Sequence, residues 1–590
     1  MSAETIPHKV LQHGERSPGS PAYFVRESGT WNATSWATYA DEVRTAAKAL
    51  MALGLEVGQP VAILGFNRPE WVIFDVAAMA AGGVPAGIYT TNSPTECKYI
   101  VGHSEAPVLL LENDEQWQKI NQVRGELPAL RHVVMMKGTD VDDDLVLSWD
   151  EFMAKGSETS DADFQARLDS LEMDQLATLI YTSGTTGPPK GVMLSHDNLA
   201  WTAAQTVQMF SVTSADTTLS YLPLSHIAEQ TFSIHVPATA GGAVYYAESI
   251  ERLADNMREV QPTIFFAVPR VWERFHAGVL AKFAETTGAK AKILAWARET
   301  ATKVTNLRRE GKEPSGLLAG QYALAKKLVI DKIKPELGMT NGRVLGVGAA
   351  PIAADILEFF GSLDMIIHEV YGQSEDTGPT STNRPGKVRF GSVGPAYPGV
   401  EVKIADDGEI LVKGRNVFLG YYKDEAATAE TLIDGWLHSG DLGSFDDDGF
   451  LWITGRKKDI IITAGGKNVA PRPLEAGLKS HALVSEVVVI GDRRKYLAAL
   501  VTLDDEACAA FVAEHNITGP PHESERIHKE LDGAVEELNQ HFARVEQIKK
   551  FTILARQLSI EGGELTPTLK VKRNKVSEHF AAEIDAMYAE

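Results

Sequence analysis

Short apolar runs, each bounded by glycine, proline or charge, recur at residues 60–64, 84–89, 108–111, 177–181 and 242–246. They are too brief to be helices and too uniformly apolar to be half-exposed strands, so they read as strands buried on both faces. Between them, residues 41–53 and 71–81 carry apolar side chains at helical spacing. A further helix is expected over 197–210, with Asp197 as its N-cap. Strands alternating with helices predict an α/β chain whose sheets are mostly parallel and covered on both faces. At 590 residues the chain exceeds what one hydrophobic core organises, so at least two domains are expected.

The texture changes twice. Residues 271–337 are helical and basic, with Lys282, Lys290, Lys292, Lys326 and Lys327 among their cations. Such a surface suits anionic lipid or the phosphates of a large ligand; a solvated helix face balanced by glutamates accounts for it equally well. After Gly391, short strands at 401–404, 408–412 and 450–453 alternate with glycine turns, the pattern of a small antiparallel barrel or meander. The charged stretch 455–459 follows a strand and suits a linker. Beyond it, 474–478, 487–490 and 496–501 form a compact mixed pattern.

Composition excludes several classes. The chain has 57 Lys plus Arg against 79 Asp plus Glu, a net charge of -22, which argues against a nucleic-acid partner. Cys97 and Cys508 are the only cysteines, too few for a disulfide framework or a zinc cluster. The first residues lack a basic head before an apolar stretch, and no apolar run is long enough to span a bilayer. The expectation is a cytoplasmic protein, with peripheral membrane contact left open by the basic helices.

Chemistry concentrates at residues 181–193, Tyr-Thr-Ser-Gly-Thr-Thr-Gly-Pro-Pro-Lys-Gly-Val-Met, directly after an apolar run. Glycines let backbone N–H groups converge, Ser183, Thr185 and Thr186 add hydroxyls, and Lys190 adds a point charge. Those groups suit a polyphosphate. Gly191 stands where a Walker A loop needs Ser or Thr, so a nucleotide enzyme of another kind is favoured. Four other clusters supply what this loop lacks. Tyr371-Gly-Gln-Ser-Glu375 offers an aromatic for a flat base and a carboxylate for a divalent ion. Ser439-Gly-Asp441 places a carboxylate behind a tight turn, in reach of ribose hydroxyls. Gly455-Arg456 could meet ribose or phosphate, and Gly348-Ala-Ala-Pro351 opens a helix and allows close approach by adenine. Lys570 could reach a developing negative charge if its domain closes over the nucleotide; by position alone Lys572 is nearly as good a choice.

These motifs, in this order, resemble those of the adenylate-forming acyl-CoA synthetases, the superfamily shared with luciferases and peptide-synthetase adenylation domains. The resemblance runs from about residue 39 to 575. Residues 221–229, the basic helical insert and residues 463–471 are most similar to the long-chain and very-long-chain, bubblegum-type synthetases. The resemblance implies a large N-terminal domain of parallel α/β sheets with an antiparallel barrel-like subdomain over 1–455. A hinge at 456–459 and a small mobile α+β C-terminal domain over 460–590 complete it. It further implies an ATP-dependent long-chain fatty acid–CoA ligase, using Mg2+ and coenzyme A. Ser183, Thr185, Thr186, Gly187 and Lys190 would grip the phosphates, with Thr185 and Glu375 near magnesium. Tyr371 and Gly372 would meet adenine, with Gly348, Ala349, Ala350 and Pro351 lining its pocket. Asp441 and Arg456 would hold the ribose, Lys570 would bridge carboxylate and α-phosphate, and Lys458 would be the hinge position.

His226 would lie by the acyl carboxylate, or simply pack at a helix start; His196 would support the phosphate loop. The chain departs from the family in having Ser439 where Thr is common and Leu569 where Gly is common. Three other readings stand beside the ligase: an acyl-AMP ligase feeding a carrier protein, a luciferase-like oxidase, and a nucleotide-binding scaffold without catalysis.

Overall fold

The computed structural model describes residues 4–182, 188–566 and 570–589. Two eight-stranded sheets dominate the N-terminal part. One runs Ser381–Thr382, Ile367–Tyr371, Val344–Val347, Ile264–Ala267, Thr217–Ser220, Ala243–Tyr246, Pro21–Glu27 and Thr30–Ser35. The other runs Gly420–Tyr421, Lys190–Ser195, Leu176–Thr182, Val84–Ile88, Pro60–Leu64, Val108–Leu111, His132–Met135 and Val146–Leu147. Both are parallel at the centre and antiparallel only toward the edges. The three runs at 60–64, 84–88 and 108–111 are buried on both faces, as their unbroken apolar sequence requires.

The helices depart from expectation at their ends. Trp36–Ala52 starts five residues earlier than the periodicity suggests, capped by Ser35, whose side chain accepts from Thr38 N. The helix His196–Phe210 is capped by Ser195, not Asp197: Ser195 accepts from Asn198 N at 3.1 Å while Asn198 Oδ1 accepts from Ser195 N at 2.8 Å. Asp197 instead receives Arg415 Nε at 2.9 Å. The hairpin Pro21–Glu27 and Thr30–Ser35 lies ahead of the region where alternation was legible. Its place is set by parallel pairing of Tyr23 with Val244, a partner far along the chain.

The basic segment folds as Pro269–Ala284, Gly288–Arg309 and Gly316–Ala325, followed by shorter turns. Several of its cations are matched: Lys303 with Glu299, Lys334 and Arg308 with Asp364, and Lys282 with Glu336. Among the described residues no helix is long and apolar enough to cross a membrane.

After Gly391 the expected antiparallel sheet is present. Glu401–Ile404, Glu409–Lys413, Trp436–Phe445 and Leu432–Ile433 are neighbours in that order, and Leu451–Arg456 pairs with Trp436–Phe445. Gly455 and Arg456 belong to that last strand; only 457–459 form a turn. The small C-terminal domain follows, a three-stranded sheet of Val484–Ile490, Leu497–Leu503 and Ile548–Ile553. Helices Pro471–Lys479 and Glu525–Asn539 pack on it through Leu474, Leu478, Ile527 and Leu531.

Candidate nucleotide and acyl site

The strands Val344–Val347 and Ile367–Tyr371 form a parallel pair, and residues singled out from sequence lie at its carboxyl end, where α/β sheets bind ligands. Val344–Val347 and Ile367–Tyr371 are neighbours, Leu345 opposite Ile367, so Gly348 and Tyr371 emerge side by side. A Cβ on Gly348 would meet Phe266 Cζ at 2.9 Å and Val370 O at 3.1 Å. Gly348 therefore allows the chain to lie flat on the Phe266 ring. The expected helix does not open there. Residues 349–353 are irregular, Ala349 has φ 69°, and the helix Ala354–Gly361 begins three residues past Pro351. A left-handed alanine costs of the order of 1 kcal/mol and is typical of a backbone shaped for a ligand. Ala349, Ala350 and Pro351 are all exposed.

Asp441 is the best-anchored side chain of the cleft. It lies within the strand Trp436–Phe445, directly opposite Arg456, and not behind a turn. Its Oδ2 accepts from Tyr371 Oη at 3.1 Å and from Gln373 Nε2 at 2.8 Å, while Arg456 Nε stands 3.5 Å from Oδ1. Gln373 also donates to Ser439 O at 2.7 Å, and Ser439 Oγ donates to Ile410 O at 2.6 Å. Ser439 thus ties its strand to the neighbouring one through its hydroxyl. Burial, and then the charge of Asp441, hold the Tyr371 phenol far above its usual range, so it stays a donor. Gly372 has a packing role: a Cβ there would lie 1.6 Å from Gly378 O. Gln373 was not singled out from sequence, although it sits inside the motif that was.

Of the stretch 181–193, Ser183, Thr185, Thr186 and Gly187 lie outside the described residues. Lys190 starts the strand Lys190–Ser195 and is exposed, its Nζ 4.6 Å from the centre of the Tyr421 ring. Tyr421 Oη donates to Glu375 Oε1 at 2.8 Å. Tyr421 reaches both because its strand pairs with that of Lys190, Tyr421 opposite Val192. Nothing in the local sequence marks this tyrosine; strand pairing across more than 200 residues puts it there. Among the described residues no group of three His, Cys, Asp or Glu could hold a metal alone. Glu375, linked to Lys190 through Tyr421, nevertheless fits magnesium, which takes one or two carboxylates plus substrate phosphates.

His226 caps the short helix Ile227–Gln230, its Nδ1 accepting from Ala228 N at 3.1 Å. Burial, and then the charge of Lys570, push its imidazole down to about 4, so it is neutral near pH 7. The helix-start packing expected of this histidine is present, and the ring also lies within the electrostatic reach of Lys570. The neighbouring Glu229, which sequence reasoning passed over, accepts from Ser220 Oγ and Ser233 Oγ, both at 2.6 Å. It ties this helix to the strand Thr217–Ser220, and burial raises its carboxyl to about 7. His196 is buried and pushed down to about 4 by burial.

Lys570 arrives from the C-terminal domain. Its N donates to Thr566 Oγ1 at 3.0 Å, and its carbonyl accepts from Thr566 N at 2.8 Å. The side chain keeps access to solvent, yet protein surrounds its ammonium. That enclosure lowers its ammonium pKa, aided by Arg456 and Arg472 and opposed by Asp441 and Glu375. Lys572 is taken up at the start of the helix Arg573–His579. Lys458 is exposed in the turn 457–459, and its neighbour Lys457 pairs with Asp407 and Glu409.

Two family models match the chain. One described as AMP-binding enzyme covers residues 10–422, and one described as AMP-binding enzyme C-terminal domain covers residues 458–590. Among curated proteins, the chain is 37% identical to the long-chain-fatty-acid–CoA ligase ACSBG2 of Homo sapiens, across 99% of this chain and 92% of that one. It is 36% identical to the long-chain-fatty-acid–CoA ligase FadD15 of Mycobacterium bovis, across 99% and 97%. Among solved structures, it is similar to ATP-bound MatB from Rhodopseudomonas palustris, with a TM-score of 0.70, 23% identity and coverage of 97% and 99%. The adenylation domain of a carboxylate reductase from Mycobacterium chelonae gives a TM-score of 0.77 at 20% identity, covering 100% and 92%.

Proposed function

We propose, from the premise that this chain belongs to the AMP-binding enzyme family, that it is an ATP-dependent long-chain fatty acid–CoA ligase. The observation that carries the reading is that Lys570, borne by the C-terminal domain, lies within the electrostatic reach of His226, Asp441, Arg456 and Glu375 of the N-terminal part. The full-length similarity to two long-chain-fatty-acid–CoA ligases supports the choice of acid and thiol.

In the first step a fatty carboxylate oxygen attacks the α-phosphorus of ATP, forming acyl-AMP and expelling pyrophosphate. Lys570 places its ammonium against the charge that grows on the carboxylate and α-phosphate, where a preorganised cation is worth most. Asp441 accepts from the ribose hydroxyls, with Arg456 beside it. Tyr371 and the 348–351 bend enclose adenine. Lys190 and the loop 183–187 hold the outer phosphates, and magnesium, bound by Glu375 and Thr185, would supply further neutralisation there. His226 stays neutral beside the acyl carboxylate and so does not compete with Lys570 for it.

In the second step the coenzyme A sulfur attacks the acyl carbonyl, and AMP leaves as the thioester forms. The two steps need different groups at one place. Rotation of the domain 460–590 about the hinge 456–459, with Lys458 as the pivot, would withdraw Lys570 between them.

The test is AMP release across a C8–C24 series of fatty acids, with and without coenzyme A. Acyl-AMP formation with long acids, and thioester only when coenzyme A is present, is the expected result. Activity confined to the shortest acids would overturn the assigned substrate. Acyl-AMP that never passes to coenzyme A would replace the ligase with the carrier-directed enzyme.

A further inference from the structure

Beyond the cleft, the two domains meet through a second charged contact. Arg270 is the second residue of the helix Pro269–Ala284, which follows the strand Ile264–Ala267. That strand pairs with Val344–Val347, the strand leading to Gly348, so Arg270 is fixed on the same sheet as the nucleotide cleft. Its Nη2 lies 2.6 Å from Asp504 Oδ2 in the C-terminal domain. Asp504 is held independently: it caps the helix Asp505–His515, its Oδ1 accepting from Ala507 N at 3.0 Å. One oxygen therefore serves the cap and the other is aimed across the domain boundary.

Glu273, one turn beyond Arg270, stands 3.8 Å from it and lies within the field of Lys479 and Glu486 of the C-terminal domain. Lys479 is itself paired with Glu486 at 2.9 Å. The seam thus alternates in sign on both sides, and Arg270–Asp504 is its direct bond.

We infer that Arg270 is a positioning residue that latches the C-terminal domain, through Asp504, in the arrangement that delivers Lys570 to the cleft. The inference rests on the two-step reading above. A contact made in one arrangement of two domains favours that arrangement by its own free energy and by no more. The latch therefore serves acyl-adenylate formation and is dispensable once Lys570 withdraws. Its Arg and Asp are partly exposed, so its effect is modest.

The variants are Arg270→Ala and Asp504→Asn, the second keeping a side-chain oxygen for the cap. ATP–pyrophosphate exchange with a long-chain fatty acid reads the first step; conversion of supplied acyl-AMP and coenzyme A to thioester reads the second. Each variant should lower exchange by about fivefold, leave thioester formation unchanged or faster, and combine without further loss. Arg270→Lys should recover most of the exchange rate. Trypsin should cut faster after Lys457 and Lys458 in Arg270→Ala, because the linker turn is freed as the domains part. Equal losses in both steps, unchanged exchange, or losses that multiply in the double variant would overturn the latch. Failure of the two-step reading is told apart from these, since the unsubstituted protein would then form no acyl-adenylate.

Discussion

Asp441 and Lys570 stand in the same cleft and are built in opposite ways. Asp441 is held by Tyr371, Gln373 and Arg456 before any ligand arrives, and its strand is fixed by pairing on both sides. Lys570 is anchored at its backbone by Thr566, and its ammonium comes to the cleft only because a separate domain carries it there. In the proposed two-step reaction Asp441 holds the nucleotide throughout and gains from rigid preorganisation. Lys570, needed in that proposal for one step and not the next, gains from riding on an element that can leave.

The comparison can be broken most sharply at Lys570. Lys570→Ala should reduce acyl-AMP formation by roughly 100-fold to 1,000-fold, the usual loss of one transition-state charge partner. Thioester formation from supplied acyl-AMP should be nearly unaffected; equal losses in both would make the lysine structural. On the rigid side, Gly372→Ala forces a methyl group onto Gly378 O and should cost about 3 kcal/mol of stability, read from denaturant melts. A fully stable variant would show that the turn beneath Asp441 yields.

Asp441→Ala leaves the Tyr371 hydroxyl, the Gln373 amide and Arg456 without their shared acceptor. The KM for ATP should rise roughly 10-fold to 100-fold, while the melting temperature falls too. A KM that does not move would remove the ribose contact.

The smallest effect joins the two regions. The folded-state value of His226, about 4, lies below its ordinary 6.5. Between those values the unfolded chain takes up a proton that the folded one does not, so His226 makes folding stability fall as pH drops from 6.5 toward 4. Removing the Lys570 charge should move the imidazole upward, yet leave it below 6.5, because burial is the larger cause. An NMR titration of the ring in Lys570→Ala reads this. An unmoved value would mean that the two groups do not face each other across the cleft.

Much of the architecture was legible because buried parallel strands must be apolar on both faces, and 60–64, 84–88 and 108–111 announce themselves that way. The antiparallel sheet after Gly391 was legible from turn residues. Helix starts were less so: Ser195 and Asp197 are both good caps, and only the end of the preceding strand selects Ser195. The helix expected to open at 348–351 starts only at Ala354, because the close approach of Gly348 to Phe266 and the left-handed Ala349 bend the chain first.

By itself the sequence determined the kinds of chemical group present and the local elements that carry them, since hydrophobic period and turn residues act over a few positions. Tertiary structure alone decided which groups meet. Tyr421 joins Lys190 to Glu375, Arg456 flanks Asp441, and His226 comes within the electrostatic reach of Lys570, through strand pairing and domain contact. Such meetings depend on register and packing between separate elements, more than 200 residues apart in the case of Tyr421 and Lys190, for which neighbouring residues carry no mark.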